Sequence, residues 1–285
     1  MIDRLAPSDS LLSAEDFRLL RESVSARMGL ALAPGARPGL ERRLRERLAV
    51  LNLKTFGEYY QYLSFDPGAA DEWDALYDLL TTTETYFFRE DYQLRAFQNE
   101  VLPELIDRAR PRRRLTIWSA GCSTGEEVYT IAMLIHEMNL VQGWEVRVFG
   151  SDISKRCIAT ARRGVYGPSS FRVTPKDKRR AYFIDRPDGA HVVERIRAMC
   201  HFGQMNLLER DKARLIGRVD AIFCRNVLIY FDPQARKSVI DLFHERLYPS
   251  GVLLLGHSES LLNVSTAFEL LHLKEDLVYR KPKSF

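Results

Sequence analysis

The run Ala120-Gly121-Cys122-Ser123-Thr124-Gly125-Glu126-Glu127 places small residues ahead of a helical stretch. Small side chains let a backbone approach a ligand, as in glycine-rich nucleotide loops, although two glycines also suit a plain structural turn. The sign of the next residues is more informative. A helix N-terminus behind such a loop normally attracts a pyrophosphate through its free N–H groups and its dipole. Glu126 and Glu127 in that first turn repel one, unless they serve only the dipole. A ligand held here should then be cationic near the loop. S-adenosylmethionine, with its sulfonium and ammonium groups, fits; NAD and ATP fit poorly. The absence of GxxxxGK[ST] excludes a P-loop. Asp152 ends the run Phe149-Gly150-Ser151-Asp152. An acid there either accepts hydrogen bonds from both ribose hydroxyls or caps the next helix. Asn226, at the end of another apolar run, either reads a polar group of a ligand or turns the chain. A last cluster, TTTETYFFRE at residues 81–90, packs four threonines, Arg89 and three aromatics into one connection. It is either a functional loop or an apolar hinge with Arg89 in a surface ion pair.

These residues need a scaffold, and in open α/β sheets ligands sit at the carboxyl ends of the strands. Strand-like runs at 115–120, 146–152, 221–226 and 251–256 alternate with helical stretches at 126–138, 154–163 and 234–247. The alternation predicts an α/β fold, a parallel sheet with helices on both faces, closed by a C-terminal antiparallel hairpin. Residues 165–205, with helix-like PKDKRRAYF and strand-like HVVERIRAMCHFGQ, read as a small insertion. The first eighty residues read as helices only. Ser13-x-x-Asp16 resembles a capping box ahead of Phe17, Leu20 and Val24. Leu40, Leu44, Leu48 and Leu51 then mark a buried stripe, and the aromatic-rich stretches around Tyr59 and Trp73 suggest two further helices. Arg42, Arg43, Arg45 and Arg47 lie off the leucine stripe, which predicts one basic outer surface. The expected organisation is a helical domain over 1–80, a linker over 81–92, and a main domain over 93–285.

Composition bounds the class. With 285 residues, 46% hydrophobic and 11% aromatic, the chain has enough apolar material for two globular domains, which excludes a fibrous or disordered protein. The acidic start without an apolar h-region argues against a secretory signal, and the longest apolar runs are too short to span a bilayer. Cys122, Cys157, Cys200 and Cys224 form no CxxC, a usage that fits a reduced cytoplasm better than disulfides or a metal site. The net charge of +4 is uneven. Residues 1–80 hold 10 Lys/Arg against 13 Asp/Glu (10 − 13 = −3), and residues 155–218 hold 16 against 6 (16 − 6 = +10). The basic segment faces either an acidic partner or only solvent.

Taken in order, TTTETYFFRE, WSAGCSTGEE, FGSDIS, MNLLE, FCRNVLIYFDP and GHSES resemble the chemotaxis receptor methyltransferase (CheR) family along nearly the whole chain. The resemblance implies an N-terminal all-helical domain and a doubly wound, Rossmann-like methyltransferase domain with a small inserted antiparallel β-subdomain. It also implies an activity: methyl transfer from S-adenosylmethionine to glutamate side chains on the cytoplasmic helices of chemoreceptors. The products would be glutamate methyl esters and S-adenosylhomocysteine, made without metal, nucleic acid or membrane insertion. Cofactor contacts are implied at Thr83, Thr85, Arg89, Glu127, Asp152, Asn206, Leu207, Asn226 and Val227, with Arg89 and Tyr230 nearest the transferred methyl. Receptor methylation sites are Glu-rich, so Arg42, Arg43, Arg45 and Arg47 would dock them. The chain departs from the family at Thr83, where Asn or His is common. Residues 182–206 are also a few residues shorter than in members that dock on a pentapeptide at the receptor tail, which counts against such docking. Two rivals stand beside this reading. An RNA methyltransferase drawn by the basic segment lacks an RNA-binding signature. A non-catalytic adaptor is opposed by the intact AGCSTGEE, Asp152 and Arg89.

Overall fold

The computed structural model describes residues 11–139 and 143–283, so the acidic start at residues 1–10 lies outside the described residues. The chain forms two units, Met1–Thr81 with Tyr230–Ala235, and Thr82–Ile229 with Arg236–Phe285.

In the first unit, Ser13 is extended and its Oγ accepts the Asp16 N–H, which starts α1 (Ala14–Met28); Gly29 at φ 72° ends it. The helices α2 (Arg37–Leu51), α3 (Phe56–Phe65) and α4 (Ala69–Leu80) follow. Each buries one apolar stripe, such as Leu40, Leu44 and Leu48 on α2 and Trp73, Leu76 and Tyr77 on α4. A polar trio sits inside this core. Glu72, 3% exposed, accepts Arg47 Nη2 at 2.5 Å and the Tyr59 hydroxyl at 2.6 Å. Burial, with Glu72 beside it, pushes the Tyr59 phenol up. This corrects the expected single basic surface. Arg47 turns inward to Glu72, Arg45 pairs with Glu41 at 2.6 Å, and only Arg42 and Arg43 stay exposed. Helical spacing showed which residues leave the leucine stripe, but not that α4 carries a buried acid to receive one of them.

Tyr230–Ala235 belongs to this same unit through backbone pairing. The Ala31 N–H donates to the Tyr230 carbonyl at 2.9 Å, the Asp232 N–H to the Gly29 carbonyl at 2.8 Å, and the Ser25 hydroxyl to the Asp232 carboxylate at 2.6 Å.

The second unit opens with α5 (Asp91–Ala96), a π-helical turn (Phe97–Val101) and α6 (Leu102–Ala109). Strands and helices then alternate: β1 (Arg114–Ala120), α7 (Glu126–Glu137), β2 (Glu145–Asp152) and α8 (Lys155–Arg163). The insertion follows with β3 (Val165–Tyr166), α9 (Lys176–Tyr182), β4 (Phe183–Arg186), β5 (Gly189–Val192) and the helical turn α10 (Glu194–Arg197). The main layer resumes with β6 (Cys200–Gln204), α11 (Arg210–Arg214), β7 (Val219–Cys224), α12 (Pro233–Arg246), which belongs to this unit from Arg236 on, and β8 (Leu247–Leu255). The hairpin β9 (Glu269–His272) and β10 (Leu277–Arg280) closes the sheet.

The sheet order is β6-β2-β1-β7-β8-β10-β9, with the first five strands parallel and the last two antiparallel. The central strands β1 and β7 are buried along almost all their length, which is why they read as largely apolar runs; the buried exception in β7, Asp220, accepts Arg112 Nη2 at 2.6 Å and the Thr116 N–H at 3.0 Å. Trp118, fully buried, satisfies its indole N–H on Ser151 Oγ at 2.9 Å and sets its ring edge-on to Phe243.

One expectation about the insertion is corrected. HVVERIRAMCHFGQ is not one strand of the subdomain: α10 interrupts it, and β6 pairs in parallel with β2 in the main sheet. The three-stranded antiparallel sheet β3-β5-β4 therefore ends at Val192, not near residue 205. Among the described residues, no helix is long and apolar enough to cross a membrane.

Candidate active site

Because β6, β2, β1, β7 and β8 run in parallel, their carboxyl ends share one edge, and the order reverses direction between β1 and β7. That switch point is where such sheets bind ligands. The loop after β1 is drawn toward β2. Asp152 Oδ2 accepts the Ser123 N–H at 2.8 Å, and its Oδ1 accepts the Ser154 N–H at 2.9 Å. The cap of α8 is Ser154, whose Oγ accepts the Cys157 N–H at 3.0 Å, so Asp152 is not that helix's N-cap. Gly121, at φ 83°, has no room for a Cβ, which would strike the side chain of Val227 from the turn after β7. The Met205 N–H donates to the Asp152 carbonyl at 2.8 Å, which brings Asn206 and Leu207 beside the end of β2. Both are buried, and Asn206 Oδ1 accepts the Leu208 N–H at 3.0 Å.

The two neighbouring glutamates separate. Glu127 accepts the Ser119 hydroxyl at 2.7 Å and Arg225 Nη1 at 3.1 Å. Glu126 turns inward, is 2% exposed, and accepts hydroxyls from Thr124 at 2.7 Å and Ser170 at 2.9 Å. The expectation that both acids of this first turn repel a diphosphate therefore narrows to Glu127: successive helical residues point about 100° apart, and only one direction leads out of the core. Burial pushes the Glu126 carboxyl up. Above the ordinary value of 4.5 the folded state then holds more protons than the unfolded one, so this group costs stability as pH rises through that window. Glu126→Gln should raise the melting temperature by a few degrees at neutral pH, with the gain fading as pH falls through the ordinary carboxyl range. Melting curves across that range check this; a gain independent of pH would assign the effect to packing.

The segment 81–90 is bolted to this edge. Ser123 Oγ donates to the Thr83 carbonyl at 3.2 Å, the Phe87 N–H to the Ser170 carbonyl at 2.9 Å, and the Phe88 N–H to Thr130 Oγ1 at 3.3 Å. Phe87 is fully buried among Tyr166, Phe171 and Phe183. Thr83 and Thr85 are half-buried. Arg89 lies between two left-handed residues, Phe88 at φ 59° and Glu90 at φ 54°, a strained backbone that its surroundings must impose. Its Nη1 donates to the Glu84 carbonyl at 2.9 Å.

Two residues of the site were not singled out in the sequence. Arg225, its side chain 3% exposed, donates to Glu127 Oε2, to Glu90 Oε2 at 3.0 Å and to the Arg89 carbonyl at 2.7 Å. Glu259, in GHSES, accepts the Asn226 N–H and the Val227 N–H, each at 2.8 Å. Both stand inside motifs visible in the sequence, but the burial of Arg225 and the partners of both emerge only in the fold. Of the expected residues, Thr83, Glu127, Asp152, Asn206, Leu207, Asn226 and Val227 are joined by these contacts. Tyr230 and the four arginines of α2 lie in the other unit.

The chemistry of this edge tests the fit of S-adenosylmethionine. Asp152 and Glu127 are acceptors, and Arg225 is committed to Glu127, Glu90 and a carbonyl. Such an edge suits ribose hydroxyls and an ammonium group better than a diphosphate. The residues present fit. No group of His, Cys, Asp and Glu that could hold a metal occurs among the described residues.

Sheet order and acidic edge together define a doubly wound methyltransferase domain that uses S-adenosylmethionine. Residues 83–277 match the family model described as CheR methyltransferase, SAM binding domain, and residues 15–81 match its all-alpha domain. The chain is 34% identical over 277 residues to chemotaxis protein methyltransferase 2 of Vibrio cholerae, covering 96% of each. It is 37% identical over 257 residues to chemotaxis protein methyltransferase 2 of Pseudomonas aeruginosa, covering 88% of each. To the chemotaxis protein methyltransferase of Salmonella typhimurium it is 35% identical over 276 residues, covering 95% of this chain and 90% of the relative. The chain belongs to the CheR methyltransferase family.

Proposed function

We propose that this protein is a cytoplasmic enzyme that methylates glutamate side chains on the cytoplasmic helices of chemoreceptors, yielding methyl esters and S-adenosylhomocysteine. The observation that carries the proposal is the acidic carboxyl edge, with Asp152 and Glu127 at the switch point and Arg89 held beside them by the chain that Arg225 grips. Asp152 would take the ribose hydroxyls, and Glu127, Asn206, Leu207, Asn226 and Val227 the rest of the nucleoside and its ammonium, with Thr83 and Thr85 closing the far side. S-adenosylmethionine supplies an electrophilic methyl on a cationic sulfur. The receiving glutamate, with an ordinary pKa of ~4.3, is already an anion at neutral pH, so the protein needs no general base. What its residues contribute is aim: Arg89 holds the incoming carboxylate by charge-assisted hydrogen bonds. Holding the partners in line supplies several kcal/mol of the barrier on its own (~7 or more in well-oriented cases).

The test is transfer of labelled methyl to receptor cytoplasmic fragments, followed by alkali. Carboxyl methyl esters lose the label readily. Label that survives alkali, or label on RNA in place of receptor, would overturn the proposal. The exposed part of α2 offers a docking surface for Glu-rich helices through Arg42 and Arg43. Arg42→Glu with Arg43→Glu should weaken binding of a receptor fragment about tenfold at low salt, less at high salt, with melting lowered by no more than a few degrees, since Arg43 Nη1 also donates to the Leu79 carbonyl at 3.0 Å. Arg47→Glu should instead destabilise the helical unit, since it places a second acid against Glu72. Equal binding by the double variant and the parent would remove α2 from docking.

A further inference from the structure

Glu259 has no role in the chemistry above, yet its carboxylate collects four backbone N–H groups. Oε2 accepts those of Asn226 at 2.8 Å and Gly256 at 2.7 Å; Oε1 accepts those of Val227 at 2.8 Å and Ile229 at 3.3 Å. One side chain thereby ties the turn after β7 to the turn after β8. The approach is close. Asn226 holds φ 60°, and a Cβ on Gly256 would stand 2.8 Å from the Asn226 nitrogen and 2.9 Å from Glu259 Oε2. Backbone N–H groups converging in this way form a concavity for an anion. Without an acceptor each donor would bear its desolvation cost, and the turn would rearrange to relieve it.

We infer that Glu259 is a positioning residue: an internal anion that fills a backbone nest and so fixes Asn226 and Val227 in the S-adenosylmethionine site. The inference rests on the cofactor reading above. The position of Val227 matters twice, because its side chain is the one that crowds Gly121 in the loop after β1. A shift of the β7 turn therefore reaches both sides of the switch point. Shape without charge is not enough, because a glutamine at 259 keeps one accepting oxygen but aims an NH2 group at backbone donors.

The test uses the full chain and formate, a carboxylate small enough to enter the emptied nest. Glu259→Ala should bind S-adenosylhomocysteine about tenfold or more weakly by calorimetry, as expected for losing charge-assisted bonds. Excess formate should recover part of that affinity and raise the melting temperature of the variant, while leaving the parent unmoved. If Glu259→Ala does not fold, Glu259→Gln should show the same loss of affinity, with KM for the methyl donor rising more than kcat falls. Affinity equal to the parent in whichever variant folds, or formate without effect on a folded Glu259→Ala, would overturn the inference. Should the parent itself fail to bind S-adenosylhomocysteine, the cofactor reading falls instead, and the formate-dependent melting of Glu259→Ala still decides whether the nest exists.

Discussion

Arg225→Met is expected to lower the melting temperature by about 6–12 °C and to weaken binding of S-adenosylhomocysteine in the protein that remains folded. The guanidinium is almost wholly buried and holds two carboxylates and one carbonyl: Glu127 at 3.1 Å, Glu90 at 3.0 Å and the Arg89 carbonyl at 2.7 Å. Methionine fills much of the same volume, so packing changes little and the loss is electrostatic. Removing one partner of a buried ion pair costs ~3–5 kcal/mol, and the lower end applies because Glu90 and Glu127 keep some access to water. At ~2–4 °C per kcal/mol for a unit of this size, ~3 kcal/mol gives the stated range. Adding Glu127→Gln should return part of the loss, since one stranded charge is then gone; a double-mutant cycle reads that coupling. A melting temperature within about 2 °C of the parent would show that water or a rearranged Glu90 replaces the guanidinium, and Arg225 would lose its place in the site.

Arg225 also shows where the sequence stops being readable. Helix and strand positions follow from local periods: α1 begins at the Ser13 cap and ends at Gly29, and β1 and β7 are the apolar runs that a doubly covered parallel sheet requires. The switch-point residues follow in turn, since Asp152 and Asn226 end two such runs. Partnership does not follow, because Arg225 and Glu127 stand 98 positions apart and nothing local in either motif pairs them. For the same reason Glu126 and Glu127 look alike in sequence, although one is buried against Ser170 and the other holds Arg225. Arg47 resembles Arg43 until the fold brings Glu72 to it. The insertion's extent failed on a different account. A β-rich run gives no sign of which sheet its last five residues join, and β6 found an open edge at β2.

Arg89→Ala should cut methyl transfer about 10²–10³-fold while leaving the affinity for S-adenosylhomocysteine within about threefold, the pattern of a group that acts on the incoming substrate carboxylate. Three observations favour a role in aim over a role in stability. The side chain is about a quarter exposed, with Nε 3.8 Å from Glu90 Oε1, a distance at which an ion pair adds little. The backbone on both sides is left-handed, at Phe88 and Glu90, and such strain persists where the fold needs one side chain in one place. The guanidinium also stands 5.7 Å from the centre of the Tyr86 ring, which limits its swing. Arg89→Lys should recover less than a tenth of the activity, because an ammonium keeps the charge but not the planar fork that grips a carboxylate with two parallel bonds. Melting should move by no more than a few degrees in either variant. Near-parent turnover in a folded Arg89→Ala protein would move the steering of the substrate carboxylate to another cation, and full activity in Arg89→Lys would reduce the role of Arg89 to charge alone.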